Sequence, residues 1–394
     1  MPSSIKWILY FAIFFLFYAL YGRLNGILEL GYPSYGYNFS MYGFVVSFPL
    51  LLSFGIRRGN SLFYPFLLFT FIGVISCFLN YTDFASFIES IICISTPMSA
   101  YFIGIGISKM QLKSKENLIR LLCLVFFLLE LLCVWALIID PDSLMLNRDF
   151  VFCLLFFTPT VTIIKNKTFG ILLFVIEVFI IMISIKRSAI IGVVISSLVF
   201  FIITLLFNRA MSFRKKMLSI IVALPLIFGS VKYYLNTDNA DKVLERMESI
   251  DSDGGSGRDH IYTTIAEKID DSDFLNYFFG HGYNAVSNEI FGHPAHNDLL
   301  EISYDFGIIT LCAWLIIVGA IIFGAIRAVR HKTNYLGALY LSSFVLWQVV
   351  CETNCIILNA PYNATIFLIF GIISHDINGE KFKIPKGTNI VRSI

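Results

Sequence analysis

A run of about 20 consecutive apolar residues, recurring along most of the chain, constrains this protein more than any other feature. At 1.5 Å per helical residue such a run spans about 30 Å, the thickness of a bilayer's hydrocarbon core. In that solvent the backbone finds no water, so each run must satisfy its own N–H and C=O groups as an α-helix. Spans fall near 5–21, 38–55, 61–79, 84–107, 118–139, 150–164, 168–185, 189–207, 217–235, 298–326, 335–352 and 361–377. Composition agrees, with 57% hydrophobic and 14% charged residues and forty phenylalanines, against roughly 45–50% and about 25% in soluble domains. A soluble globular protein is excluded. The expected fold is an all-α polytopic membrane protein of about 12 transmembrane helices.

Lys and Arg in short loops orient such a bundle, because they stay on the cytoplasmic face. With the N-terminus in the cytoplasm, the even-ranked connections carry 20 of the 29 Lys and Arg; the other nine include five in or beside one long loop. Both termini are therefore expected in the cytoplasm. The first span follows Lys6 and lacks a small-residue cleavage site, so it reads as a retained helix and not as a removed signal peptide. The one long polar stretch, Asn236 to Asn297, is expected outside the cytoplasm. The chain thus divides into helices one to nine over 1–235, the loop over 236–297, and helices ten to twelve with a basic tail over 298–394. Within the loop, Asp238 to Ile250 and Asp259 to Ile269 have amphipathic helical patterns, separated by a flexible turn over Asp251–Gly257. All eight cysteines sit in or at the ends of apolar runs, with neither a disulfide framework nor zinc spacing.

The residues that can carry chemistry are polar groups where the topology does not want them. Lys186 and Arg187 stand in a very short non-cytoplasmic turn, against the charge bias and at the edge of hydrocarbon, where a cation needs a partner. Snorkelling to headgroup phosphates is the competing reading, stronger for Lys186. Arg258 follows Gly254-Gly255-Ser256-Gly257 and precedes an amphipathic helix. Glycines let an anion approach closely, and helix-start amides beside a planar guanidinium suit a phosphate. A solvated linker is the alternative there.

Four of the six histidines, His260, His281, His293 and His296, fall in the loop. Asp298 with Glu301 reads as an acidic capping box that starts the next span and sets His296 and Asn297 at its outer mouth. An imidazole held there can take a proton from a hydroxyl at neutral pH, the task of a general base in acyl or glycosyl transfer. A zinc site on His293, His296 and His281 competes, weakened by the proline inside the His-x-x-His pair and the lack of a clear Cys or carboxylate set. Glu89, Glu130 and Glu177, inside apolar sequence, are expected to face the bundle interior and pair there.

An arginine in a short turn, then an outer loop with Ser256-Gly257-Arg258 and Gly280-His281-Gly282, then His296-Asn297 opening a helix, resembles the O-antigen polymerase and O-antigen ligase superfamily. The resemblance covers Ile183 to Gly307, with Lys186-Arg187-Ser188 fitting a looser arginine motif. It implies a GT-C-like bundle and a lipid-linked glycosyltransferase on the periplasmic leaflet of a bacterial inner membrane, needing no nucleotide sugar, cofactor or metal ion. The donor it implies is an undecaprenyl-pyrophosphate-linked oligosaccharide in the lipid bilayer. A flippase and a chain-length regulator of the same pathway are expected partners, and nucleic acid is not. In this scheme Arg187 and Arg258 hold the leaving pyrophosphate and His296 deprotonates the acceptor, while Lys186, His281, Asn297, Gly280 and Gly282 bind substrate. With no obvious nucleophile, a single displacement inverts the anomeric carbon. The Phe-rich, lysine-moderate chain and its loop of modest length favour a polymerase over a ligase acting on lipid A-core. The rival of a different class is a transporter of the same lipid-linked glycan, which would line a central cavity with cations.

Overall fold

The computed structural model describes residues 3–27, 37–53, 62–139, 151–159, 167–184, 186–207, 214, 254–330 and 334–381. Among these the regular structure is helical throughout: α1 (Ser3–Ile27), α2 (Tyr37–Ser53), α3 (Phe63–Leu79), α4 (Phe84–Ser108), α5 (Leu112–Ile139), α6 (Val151–Leu155), α7 (Lys167–Ser184), α8 (Arg187–Phe207), α9 (Gly254–Asp270), α10 (Phe274–Phe279), a π-helical turn (Val286–Phe291), α11 (Asp298–Arg330), α12 (Asn334–Cys351) and α13 (Ala360–Lys381). Among the described residues five helices are long and apolar enough to cross a bilayer, and five shorter apolar helices accompany them. The chain is a polytopic helical membrane protein. The expected span at 217–235 and the helix at Asp238–Ile250 lie outside the described residues, and the span at 150–164 is described only to Pro159.

Helices α4 and α13 form the centre. From Ser90 to Ser108 nearly every α4 side chain is buried, as is every α13 residue from Ala360 to Ile373. In lipid there is little hydrophobic drive to bring two helices together, so close van der Waals contact must do it, and small residues allow that contact. Gly104 and Gly371 supply it: a Cβ on Gly104 would strike the Leu368 carbonyl oxygen, and one on Gly371 the Tyr101 carbonyl oxygen. The two helices run parallel, since the Cys93 thiol reaches the Leu358 carbonyl (3.5 Å) near their starts and His375 reaches Ser108 (3.2 Å) near their ends. Around them an aromatic cluster ties α3, α11, α12 and α13, with Phe69–Trp314 at 4.9 Å, Trp314–Trp347 at 5.6 Å and Trp347–Phe367 at 5.1 Å between ring centres.

Of the intramembrane acids, Glu177 is fully buried and accepts the Thr158 hydroxyl, as the pairing expectation requires. Glu130 departs from it. It is also fully buried, yet neither carboxylate oxygen has a hydrogen-bond partner.

The second half of the polar loop packs on the start of α11. Ile261 and Ile265, one helical turn apart on α9, join Ala285, Val286, Ala295 and Tyr304 in a small apolar core of their own. The helix begins at Gly254, so Gly254–Gly257 are helical where a flexible turn was expected, and Arg258 lies inside α9 and not ahead of it. The burial of Ile261 and Ile265 offsets the cost of helical glycine, about 1 kcal/mol each relative to alanine. Helix α11 is two helical segments joined at Gly307, whose φ of 83° is outside the helical region, and the segment after Gly307 is by itself long enough to cross a bilayer core.

Candidate active site

The residues 352–357, joining α12 to α13, bind three parts of the chain that are far apart in sequence. Asn354 donates from its amide to the Ser188 hydroxyl (2.8 Å), next to Lys186 and Arg187 at the start of α8. Asp298, at the start of α11, accepts the backbone N–H groups of Ile356 (2.6 Å) and Ile357 (2.9 Å) on one carboxylate oxygen. Asn297 donates to the Glu352 carboxylate (2.9 Å). From α9, the Tyr262 hydroxyl lies within donating distance of the His296 carbonyl (3.2 Å) and the Glu352 carbonyl (3.3 Å). Arg258 stands one turn before Tyr262 on the same face of α9. Burial raises the Tyr262 phenol above its ordinary pKa, while the Arg258 charge and the bond with Asn297 pull it down and Glu352 pushes it up.

His296 has a left-handed backbone, φ 57°. This reverses the chain just before the helix and turns the His296 carbonyl toward Tyr262. Its half-buried ring stacks on His293 (5.5 Å, 25°), which stacks on Phe291 (5.6 Å, 11°). Asn297 is the true cap of α11, its amide oxygen accepting from Leu299 (2.9 Å) and Leu300 (3.2 Å). The Asp298/Glu301 capping box is thereby corrected. Asp298 turns to residues 356–357, and Glu301 accepts the Ala295 N–H (2.6 Å). The buried backbone N–H groups of Ile356, Ile357 and Ala295 claim the two carboxylates, and Asn297 serves the free helix end.

Lys186 points its ammonium at the Phe152 ring, 5.5 Å from its centre. Its carbonyl caps α8 by accepting from Ala189 and Ile190 (3.1 Å each). Arg187 opens α8, and its side chain lies outside the described residues.

Gly280, His281 and Gly282, read from sequence as substrate-binding, are found in a separate bracket on the bend of α11. His281 and Gly282 donate their N–H groups to the Tyr304 and Asp305 carbonyls (2.9 Å each). Gly280 and Gly307, at φ 81° and 83°, let the two backbones touch: a Cβ on the first would meet the Asp305 carbonyl, and on the second the Phe278 carbonyl. Asp305, fully buried, accepts the Asn284 (2.8 Å) and Val286 (3.1 Å) N–H groups. His281 lies flat on Tyr304 (4.2 Å, 8°), bonds to Ser272 (2.8 Å) and sits 3.8 Å from the Glu289 carboxylate. Burial lowers its pKa, partly countered by Glu289 and Asp273.

As for zinc, the rings of His293 and His296 face each other instead of converging on a point. Among the described residues no three His, Cys, Asp or Glu side chains come together as a metal needs.

Tyr262 and Glu352 are the site residues that the sequence reading misses. Tyr262 was signalled only by its i+4 relation to Arg258, and Glu352 only as an acid closing an apolar span. The resulting cluster can hold an anionic group near Arg258, bind hydroxyls through Asn297 and Glu352, and offer an imidazole at the same mouth.

Fold and site together define a polytopic helical membrane protein with a polar, charge-bearing cluster at one end of its bundle. Residues 172–315 match the family model described as O-antigen ligase, and this match supports the O-antigen polymerase and ligase superfamily. The matched family is one of glycosyltransferase-like membrane enzymes, and the match supports a function broadly of the O-antigen ligase or polymerase type. Lys186, Arg187, Arg258, His281, His296 and Asn297 lie within the match, and Glu352 lies beyond it. No curated protein matches the chain.

Proposed function

We propose that this protein is a lipid-linked polysaccharide repeat-unit polymerase. It transfers glycan from undecaprenyl pyrophosphate to a sugar hydroxyl of another lipid-linked repeat, on the periplasmic face of the inner membrane and without metal or cofactor. The observation that carries the reading is the gathering of His296–Asn297, the Arg258–Tyr262 turn and the start of α8 by residues 352–357. Three motifs that matter only together are tied to one short segment. In the reaction the acceptor hydroxyl gives its proton to the His296 imidazole, and its oxygen attacks the anomeric carbon from the side opposite the pyrophosphate. The bond from that carbon to the pyrophosphate oxygen breaks, with inversion. Charge then grows on the leaving group, where Arg258 and Arg187 stabilise it; fixed cations in a partly dehydrated site stabilise such charge better than water does. The 20 to nine division of Lys and Arg supports a periplasmic site and cytoplasmic termini. A flippase supplying the donor and a chain-length regulator are the partners this role requires.

Ligation to lipid A-core is the second reading, favoured by the description of the matched family as O-antigen ligase. A deletion strain separates the two: a missing polymerase leaves single-repeat capping, a missing ligase leaves unattached polymer, and a missing transporter leaves lipid-linked repeat on the cytoplasmic face. With purified protein and lipid-linked repeat, His296→Gln and Arg258→Lys should each abolish extension while expression is unchanged, because neither the base nor the bidentate guanidinium is replaced. A chelator should leave the rate as it was. Near-normal polymer length from His296→Gln overturns the base assignment, and loss of activity to chelator restores a metal.

A further inference from the structure

The short helix α10 carries large apolar side chains that no described residue covers: Phe274 is 75% exposed and Leu275 61%. In a water-filled loop that would be a costly choice. Its position explains it. The Phe279 carbonyl, at the end of α10, accepts the Ser76 hydroxyl and the Asn80 amide (3.3 Å), so α10 sits level with the last turn of membrane helix α3. On its other side its backbone touches Gly307. Gly307 opens a stretch of α11 that runs to Ile326 without a charged residue, whereas the part before it carries Asp298, Glu301 and Asp305. The level at which α11 turns apolar and α3 ends is therefore the level of α10.

Other exposed apolar side chains stand near that level: Phe78 (63%) and Leu79 (57%) close α3, Tyr81 (55%) lies in the turn and Phe84 (70%) opens α4. Aromatic rings gathered at the ends of membrane helices mark the headgroup layer, where a ring lies half in hydrocarbon and half in water. The start of α10 is capped, Asp273 accepting the Asn276 N–H (2.9 Å). The outward side of α3 is apolar as well, with Phe71 at 62% exposure, as suits a helix side turned to lipid.

We propose that α10 is an interfacial membrane anchor, with Phe274 and Leu275 inserted at the headgroup–acyl boundary of the leaflet that adjoins the candidate site. The loop's second half is then held on the bilayer surface. Because α10 runs directly into Gly280 and the bracket on α11, the anchor fixes the depth of the Asp305-bound turn relative to the lipid. The anchoring itself does not depend on the transfer reaction.

The test uses the full-length protein in phosphatidylcholine vesicles, comparing Phe274→Trp and, separately, Leu275→Trp with wild type, whose Trp7, Trp135, Trp314 and Trp347 give the baseline. The added emission should be blue-shifted, insensitive to aqueous acrylamide, and quenched more by lipid brominated near the headgroup than by lipid brominated near the chain end. Water-like emission, quenched by acrylamide and blind to both brominated lipids, overturns the proposal and leaves the patch to a soluble partner. Stronger quenching by the chain-end bromines overturns it too, because α10 would then lie within the hydrocarbon. If one substitution disturbs folding, the other gives the same readout from the neighbouring exposed position.

Discussion

Removing the Asp298 carboxylate should release the segment that assembles the candidate site. Asp298 is 1% exposed and accepts two backbone N–H groups at 2.6 and 2.9 Å. In Asp298→Ala both amides stay buried in a poorly solvated place with no acceptor, at about 1–3 kcal/mol each, so residues 352–357 should lose about 2–6 kcal/mol of local stability. Asp298→Asn keeps a carbonyl oxygen in the same position and loses only the charge assistance, about 1 kcal/mol. Hydrogen exchange of the Ile356 and Ile357 amides reads this directly. A 2 kcal/mol loss corresponds to about 30-fold faster exchange through local opening, so Asp298→Ala should exceed that and Asp298→Asn fall well below it. Transfer activity should follow the same order, since Tyr262, Asn297 and Ser188 all bond to this segment. Wild-type exchange rates at Ile356 and Ile357 in Asp298→Ala, or equal damage from Ala and Asn, would refute the reasoning.

Gly280→Ala and Gly307→Ala should each cost about 1–3 kcal/mol in backbone strain, plus the displacement of the touching carbonyl. Gly292→Ala, at φ 73° with nothing within 4 Å, should cost only the strain, and thermal unfolding in detergent compares the three. Gly104→Ala and Gly371→Ala should separate α4 from α13 and lower the unfolding temperature by several degrees, whereas Gly319→Ala, facing open space, should not. For His281, burial holds the imidazole below its ordinary 6.5. A base harder to protonate when folded contributes stability above pH 6.5 that is lost as pH falls toward the folded pKa. Wild type should therefore lose more stability than His281→Gln between neutral and mildly acidic pH, and parallel profiles would remove His281 from the acid response.

Within the loop, the sequence marks where a helix forms more readily than what its polar side chains hold. The alternation of Ile261 and Ile265 with polar neighbours fixes a helix wherever α9 packs, and that helix forms. Asp298 and Glu301 have the spacing of a capping box, a rule that weighs only neighbours along the chain. The competing amides come from Ile356 and Ile357, 58 and 59 residues away, and from Ala295. Gly280 is marked as substrate-binding only by the family resemblance, and the group that comes closest to it in the fold is the Asp305 backbone of α11, far along the chain.

The sequence alone determined that this chain is a bundle of membrane helices, which ends of them carry charge, and which loop holds histidine and arginine. Transfer of apolar surface into lipid adds up residue by residue over about 20 neighbours, so it is written in local composition. Only the tertiary structure decided that Tyr262, Asn297, Asp298 and Ser188 bond to one short segment, and that His281 bonds to Ser272 and lies on Tyr304. Those pairings depend on how helices cross, at contacts such as Gly104 on Leu368 and Gly307 on Phe278. A hydrogen bond acts over about 3 Å and takes whichever partner the crossing brings within reach, which no stretch of sequence records.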